Sequence, residues 1–122
     1  MFPLTGQVQG ACDTAKRATA RLVGVEPPHF EDNEAAFGEL YVRIQRTSEF
    51  VEQYRPDAFR DANTRKIELK MSTGVVSLTA YEYLVRFALP NFYFHVTTAY
   101  NILRHNGVSL GKRDYLGSLS LG

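Results

Sequence analysis

The segment NFYFHVTTAY, residues 91–100, places one histidine and one asparagine among four aromatic rings. His95 could serve as a metal ligand, as an acid–base catalyst or as a structural residue with an ordinary hydrogen bond, because imidazole chemistry supports all three roles. On a helix that begins at Asn91, His95 shares one face with five apolar residues, Phe92, Val96, Ala99, Ile102 and Leu103. An inward-facing imidazole needs hydrogen-bond partners, so we expect His95 inside a helical bundle, with its role open among these three.

The other residues that could do chemistry have simpler explanations. His105 lies in the predicted last helical turn, where its charge favours the exposed carbonyl groups, and His29 lies in a loop with two prolines. Cys12 is the single thiol and lies on an apolar helix face, which favours a small buried residue over a nucleophile. The stretch NGVSLG, residues 106–111, lacks the spacing and the following helix of a phosphate-binding loop. Spacing alone therefore predicts no catalytic residue.

The composition is that of one ordinary globular domain, which we expect to form a bundle over residues 1–117 and a loose end over 118–122. The 14 basic and 13 acidic residues are dispersed and give a net charge of +1, which argues against nucleic acid and anionic membranes as partners. A single cysteine cannot form an internal disulfide, and no apolar run approaches the roughly 20 residues of a membrane span. These features predict a cytoplasmic protein.

Two amphipathic helices and a hairpin precede the segment that carries His95. Apolar residues recur at helical spacing over residues 4–23 and again over 37–54, with a proline-containing loop at 25–34 between them. Alternation of apolar and charged residues predicts a short β-hairpin near residues 65–78. Two strands alone are only marginally stable, so we expect the hairpin to lie across the helices.

The last helix has a clear start and a clear end. Thr79 and Glu82 have the spacing of a capping box, and the pair Asn106-Gly107 is typical of a helix terminus. Pro90 cannot donate a hydrogen bond to the carbonyl of Arg86, and its ring collides with that carbonyl. We therefore expect a helix that is kinked at Pro90.

With these elements placed, residues 1–32 and 81–117 resemble an uncharacterised family of bacterial proteins in the DinB/YfiT-like superfamily. The stretch LPNFYFHVTTAY, residues 89–100, is the most specific part of the resemblance. The resemblance implies a mainly all-α fold, a DinB-like four-helix bundle of up-down-down-up type. Relatives carry a further helix before the part that begins here, so we expect a bundle truncated to about three long helices plus the hairpin.

The resemblance also implies a metal position, because members of the superfamily hold a divalent metal with three histidines. Two of these positions fall on Asn91 and His95, and the third falls near Gln9 of the first helix. Amide side chains offer only a neutral carbonyl, which binds zinc or nickel less well than imidazole does. We therefore expect Gln9, Asn91 and His95 to form a hydrogen-bonded polar cluster, a degenerate form of a site for Zn, Ni or Mn.

Three functional expectations follow. The first is a non-catalytic or ligand-sensing bundle that takes a small-molecule ligand. The alternative is a divalent-metal-dependent, thiol transferase-like enzyme that uses His95, as the resemblance implies for some relatives. The third is a partner-binding subunit that receives a helix from another chain. A bundle with one helix missing exposes an apolar groove, so we expect a homodimer, with exchange of elements between copies as one route.

Overall fold

The computed structural model describes residues 2–119, which form a mainly helical fold with one small antiparallel sheet. Part of the predicted loose end, residues 120–122, lies outside the described residues. No helix of the described part is long and apolar enough to cross a membrane. In chain order the elements are α1 (Leu4–Val23), α2 (Phe37–Glu52), β1 (Lys66–Met71), β2 (Gly74–Thr79), α3 (Ala80–Tyr83), α4 (Leu89–His105) and α5 (Lys112–Leu116), with 3-10 turns at Pro56–Phe59 and Ala62–Thr64.

Helix α1 is the central rod of the fold, because it packs against both α2 and α4 while those two helices make few direct contacts with each other. Its small residues Ala11 and Ala20 are buried and allow this close packing. The helix ends as the sequence predicts, at Gly24, whose φ of 88° is a left-handed conformation and whose N–H donates to the carbonyl of Ala20 at 2.8 Å. The two flanking helices therefore take their positions from α1.

The predicted hairpin is confirmed, and its register pairs Ile67 with Leu78 and Leu69 with Val76. Ile67 and Leu69 point to the same face of β1 and are buried in a core cluster with Tyr83. Partly buried residues of α1 and of the last helix complete this cluster. The hairpin thus lies across the helices and buries its apolar face, as a two-stranded sheet must in order to persist.

The last helical segment runs from Ala80 to His105 and contains a π turn at Leu84–Ala88. The capping box at its start is confirmed: the amide of Glu82 donates to the Thr79 hydroxyl at 3.1 Å, and the Thr79 amide donates to the Glu82 carboxylate at 3.0 Å. The π turn ends two residues before Pro90, and a wider turn is one way in which a helix accommodates a proline ring. The backbone on both sides of the π turn keeps helical dihedral angles.

A short helix, α5, follows the stretch NGVSLG, contrary to the expectation that no helix comes after it. The amide of Gly111 donates to the Asp114 carboxylate at 2.8 Å and fixes the start of α5. Tyr115 then packs against α4, where its hydroxyl accepts a hydrogen bond from Thr97 at 3.1 Å and its ring meets Tyr100 edge-on. Five residues are too few to show a helical period, which is why the sequence pattern missed this element.

Candidate functional site

His95 lies on α4 with its ring directed at α1, and its Nδ1 atom is 2.8 Å from Oε1 of Gln7. The amide nitrogen of Gln7 donates to the carbonyl of Phe2 at 3.0 Å, so Oε1 is the acceptor that faces the imidazole. Nδ1 of His95 must therefore carry the proton, which leaves Nε2 with a free lone pair. Burial lowers the pKa of His95, which favours this neutral form.

The ring of His95 lies directly against the backbone of α1 at Gly10. A β-carbon at Gly10 would come within 2.8 Å of both Cε1 and Nε2 of the imidazole, so only glycine fits under the ring. Phe2 stacks on the ring with centroids 6.5 Å apart, and Phe94 meets it edge-on at 5.6 Å. Glycine has a low helix propensity and so destabilises α1 slightly at this position, but the absence of a side chain at Gly10 allows the contact between α1 and α4.

Asn91 lies one helical turn before His95 and is oriented by Thr14 of α1. Its Nδ2 atom donates to the Thr14 hydroxyl at 2.9 Å, and that hydroxyl donates in turn to the carbonyl of Gly10 at 2.7 Å. Because the amide group is anchored through its nitrogen, Oδ1 of Asn91 is left as an acceptor without a hydrogen bond in residues 2–119.

Gln9 lies on a different face of α1 and is anchored by Glu34. Its Nε2 atom donates to the carboxylate of Glu34 at 2.8 Å, which leaves Oε1 of Gln9 as an acceptor. Burial by itself would raise the pKa of Glu34, but hydrogen bonds from Gln9 and Arg43 outweigh burial and lower it. Glu34 therefore stays ionised and holds the Gln9 amide in one orientation.

The three predicted residues line one cavity of about 380 Å³ that is bounded by α1, α4 and the loop before α2, together with Asp13 and Asp32. They do not form the expected cluster with one another, because each is hydrogen-bonded to a different neighbour. Gln7, and not Gln9, contacts His95. Residues two apart on a helix differ by about 200° in direction, so only one of the two glutamines can face α4. The spacing of Gln7, Gly10 and Thr14 along one helix face is the signal that could have found this contact.

The donor set of this cavity is one neutral imidazole and two amide oxygens, with carboxylates that are already engaged. Asp13 and Asp32 lie 2.9 Å and 2.8 Å from the guanidinium of Arg43. In the part of the chain that the structure describes, no group of three or more His, Cys, Asp or Glu side chains is placed to hold a metal ion. Neutral amide oxygens are weak ligands for zinc and nickel, so these residues fit a hydrogen-bonding ligand better than a transition metal.

Comparisons with known proteins identify the family. Residues 1–116 match the family described as a domain of unknown function, DUF1993. The chain belongs to the DUF1993 family. No curated protein matches it. A crystal structure of a DinB family member protein from Shewanella denitrificans is similar, with 43% sequence identity and a TM-score of 0.87, and the match covers 100% of this chain and 69% of that chain. The helices and the small sheet of this DUF1993 domain are consistent with a DinB-like fold.

A buried arginine of the DUF1993 domain, Arg43, ties α1, α2 and the loop between them together. Its side chain is 2% exposed and lies 2.9 Å from Asp13, 2.8 Å from Asp32 and 2.9 Å from Glu34. Burial alone would lower the pKa of Arg43, but hydrogen bonds to Glu34 and Asp13 raise it well above its ordinary value. Because Glu34 anchors Gln9, this network fixes one wall of the cavity. Sequence reasoning missed Arg43, although it falls on the buried face of α2 with Leu40 and Thr47.

An open apolar groove lies between α2 and α4 in this DUF1993 domain, with α1 as its floor and a volume of about 420 Å³. Cys12 lies in that floor and is buried, as the sequence predicts. Burial raises the pKa of the Cys12 thiol and outweighs its hydrogen bond with Thr47, so the thiol stays protonated. The walls are mostly aliphatic and aromatic side chains, among them Ile44, Val51, Phe92 and Val96.

The two other histidines lie away from the cavity that His95 lines. His29 is exposed in the loop before α2, and His105 is exposed in the last turn of α4. The structure therefore brings together one histidine, His95, with the amide side chains that the sequence singled out.

Proposed function

We propose that this DUF1993 domain is a non-catalytic DinB-like bundle of three long helices that binds a small molecule in the cavity lined by Gln9, Asn91 and His95. One observation carries the proposal. Each of the three side chains is held through its own N–H group, by Glu34, Thr14 and Gln7 respectively.

The consequence of this arrangement is a cavity that presents acceptors. Gln9, Asn91 and His95 line the same cavity, and no hydrogen bond within residues 2–119 reaches Oε1 of Gln9, Oδ1 of Asn91 or Nε2 of His95. A ligand that supplies donors gives buried or partly buried acceptors the hydrogen bonds that they lack, and this lowers the free energy of the complex. The cavity therefore favours a molecule with ammonium, amide or hydroxyl groups. A neutral imidazole suits this role, because it keeps Nε2 as an acceptor at neutral pH.

Two further parts of the proposal concern the cellular compartment and the ancestry of the site. The single cysteine, Cys12, is buried and protonated, which fits a reducing, cytoplasmic compartment. The amide side chains at two of the three superfamily metal positions support the loss of an ancestral metal site.

Nitrogen NMR of the imidazole tests the proposal directly. A long-range proton–nitrogen spectrum of the purified chain should show His95 as the tautomer protonated at Nδ1. A collection of small amines, amides and polyols is then added one compound at a time. We expect at least one compound to move the Nε2 resonance of His95 and to leave that of His105 unchanged. A tautomer protonated at Nε2, which would turn the acceptor into a donor, would contradict the proposal.

A second candidate function is a divalent-metal-dependent, thiol transferase-like enzyme. It is favoured by the same hydrogen bond between His95 and Gln7, because metal-bound histidines commonly donate their other ring N–H to an oxygen that fixes the tautomer. Oxygen donors from Gln9 and Asn91, with water, would complete the ligand set in that case.

Metal titration separates the two candidates. Zn²⁺, Ni²⁺ or Mn²⁺ at about 100 times its dissociation constant would add about 2.7 kcal/mol to the free energy of unfolding. We expect no such gain in melting temperature. A gain that is present in the wild type and in His105→Ala, but lost in His95→Ala, would favour the enzyme instead. His105 is a matched control because it is an exposed histidine on the same helix.

A further inference from the structure

A second polar cavity lies beside the first one, and three cationic residues are among those that line it. It has a volume of about 350 Å³ and is bounded by α1, β1 and the last helical segment. Arg17 and Arg21 of α1 and Lys70 of β1 are among its lining residues. Glu68 is the acidic side chain that lines it. The local charge is therefore positive, although the whole chain is nearly neutral.

Arg21 is oriented by a neutral group and not by a carboxylate. Its Nη1 atom donates to the hydroxyl of Tyr83 at 3.0 Å, and its guanidinium lies 5.3 Å from the centroid of the Tyr83 ring. Tyr83 is 1% exposed and packs against Ile67 and Leu69 in the core, so it is a fixed support. A guanidinium that is held in place without being neutralised is ready to receive an anion.

The other two cations are also weakly compensated. Arg17 lies 3.8 Å from Asp13, but Asp13 is already closer to Arg43, at 2.9 Å, and to Lys16, at 3.3 Å. Lys70 forms no ion pair within the residues that the structure describes. Against the single carboxylate of Glu68, the three cations leave this cavity with an excess of positive charge for a bound group.

We propose that this basic cavity binds an oxyanion, either a carboxylate or a phosphate group. Planar guanidinium groups match the paired oxygens of both anions, and a lysine adds a point charge. The two cavities share Thr14, Arg17 and Asn91 as lining residues. One ligand can therefore place donor groups beside His95 and its anionic group between Arg21 and Lys70. This link between the cavities rests on the proposed function, whereas oxyanion binding by itself does not.

Titration with simple oxyanions tests the inference. Inorganic phosphate and, separately, acetate are added to the purified 122-residue chain at constant ionic strength, with chloride as the reference anion. Chemical shifts of backbone amides and of arginine Nε–H groups are followed by NMR. We expect saturable shifts at Arg17, Arg21 and Lys70. Binding of phosphate alone assigns the phosphate class, and binding of acetate assigns the carboxylate class.

Matched variants locate the site. Lys70→Gln should weaken oxyanion binding by about tenfold, the order expected for one lost charged hydrogen bond. Lys66→Gln removes the same charge from the same strand, but Lys66 does not line the cavity, so it should bind as the wild type does. Lys70→Gln should leave the tautomer of His95 unchanged in the nitrogen NMR spectrum, which keeps this test separate from that of the acceptor cavity. Absence of saturable shifts with both anions, or equal losses in the two lysine variants, would overturn the inference.

Discussion

The Oε1 atom of Gln7 and the Nδ1 atom of His95 lie 2.8 Å apart, although the two residues are 88 positions apart in the chain. This hydrogen bond joins the first turn of α1 to the middle of α4. It also selects the tautomer of His95, because the amide nitrogen of Gln7 is committed to the carbonyl of Phe2. A structural contact and the chemical state of the candidate site are therefore set by the same pair.

Replacement of Gln7 should weaken both properties. Gln7→Ala removes a fully buried side chain and leaves Nδ1 of His95 without its acceptor, so we expect the free energy of unfolding to fall by about 1–3 kcal/mol. Urea denaturation measures this loss. Gln45→Ala, an exposed glutamine on α2, should change stability by less than about 0.5 kcal/mol. Equal effects of the two variants would argue that the hydrogen bond contributes nothing.

Stability should depend on the protonation of His95. Burial lowers the pKa of His95 in the folded state, so the unfolded chain binds a proton more readily. The free energy of unfolding should therefore be highest above the ordinary histidine pKa of about 6.5 and decrease as the pH falls through that value toward the folded pKa. Urea denaturation between pH 5 and pH 8 measures the slope. His95→Gln should remove that slope, whereas His105→Gln should retain it.

A methyl group at Gly10 should destabilise the fold, although it would raise the helix propensity of α1. Alanine is favoured over glycine inside a helix by about 1 kcal/mol, but a β-carbon at Gly10 would lie 2.8 Å from the ring of His95. We therefore expect Gly10→Ala to lower the melting temperature and to displace the imidazole. Gly38→Ala is the matched control, because nothing lies within 4 Å of its β-carbon position in α2. That variant should be neutral or stabilised, and a stabilised Gly10→Ala would contradict the packing described here.

Removal of the charge on Arg43 should lower the free energy of unfolding more than most single substitutions do. Arg43→Ala would leave the buried carboxylate of Glu34 without its cation and would remove one of the cations that pair with Asp13, and breaking one side of a buried ion pair costs about 3–5 kcal/mol. Arg46→Ala on the same helix removes an exposed guanidinium that stacks on Phe30, so its cost should be far smaller. Thermal and urea unfolding of both variants measure the difference. Similar stabilities would show that the network is dispensable.

We expect the apolar groove between α2 and α4 to associate with a second copy of the chain, because its walls are mostly apolar and open to solvent. Size-exclusion chromatography with light scattering measures the expected dimer. Val96→Asp, in the groove wall, should shift the mass toward the monomer, whereas Val85→Asp, which does not line the groove, should leave it unchanged. A wild-type chain that is a stable, non-aggregating monomer would contradict this expectation.

Local patterns determined most of the secondary structure. The residues of α1 repeat with helical period, β1 alternates, and the Thr79–Glu82 box marks the start of the last helical segment. Such signals depend on neighbours within a few residues, so they can be recognised without knowledge of the fold. The same reasoning failed for α5, which is too short to show a period and is held by a contact between Tyr115 and Tyr100.

By itself, the sequence determined that His95 faces the interior of the bundle and that amides stand near it, because the direction of a side chain around its own helix follows from residue spacing. Only the tertiary structure decided that Gln7, and not Gln9, is its partner. It also decided that Arg43 is buried and that Lys70 joins Arg17 at one cavity. These features depend on how one helix is rotated against another, and a change of one residue in register turns a side chain by about 100°. Packing across the whole chain sets that rotation, so no local pattern contains it.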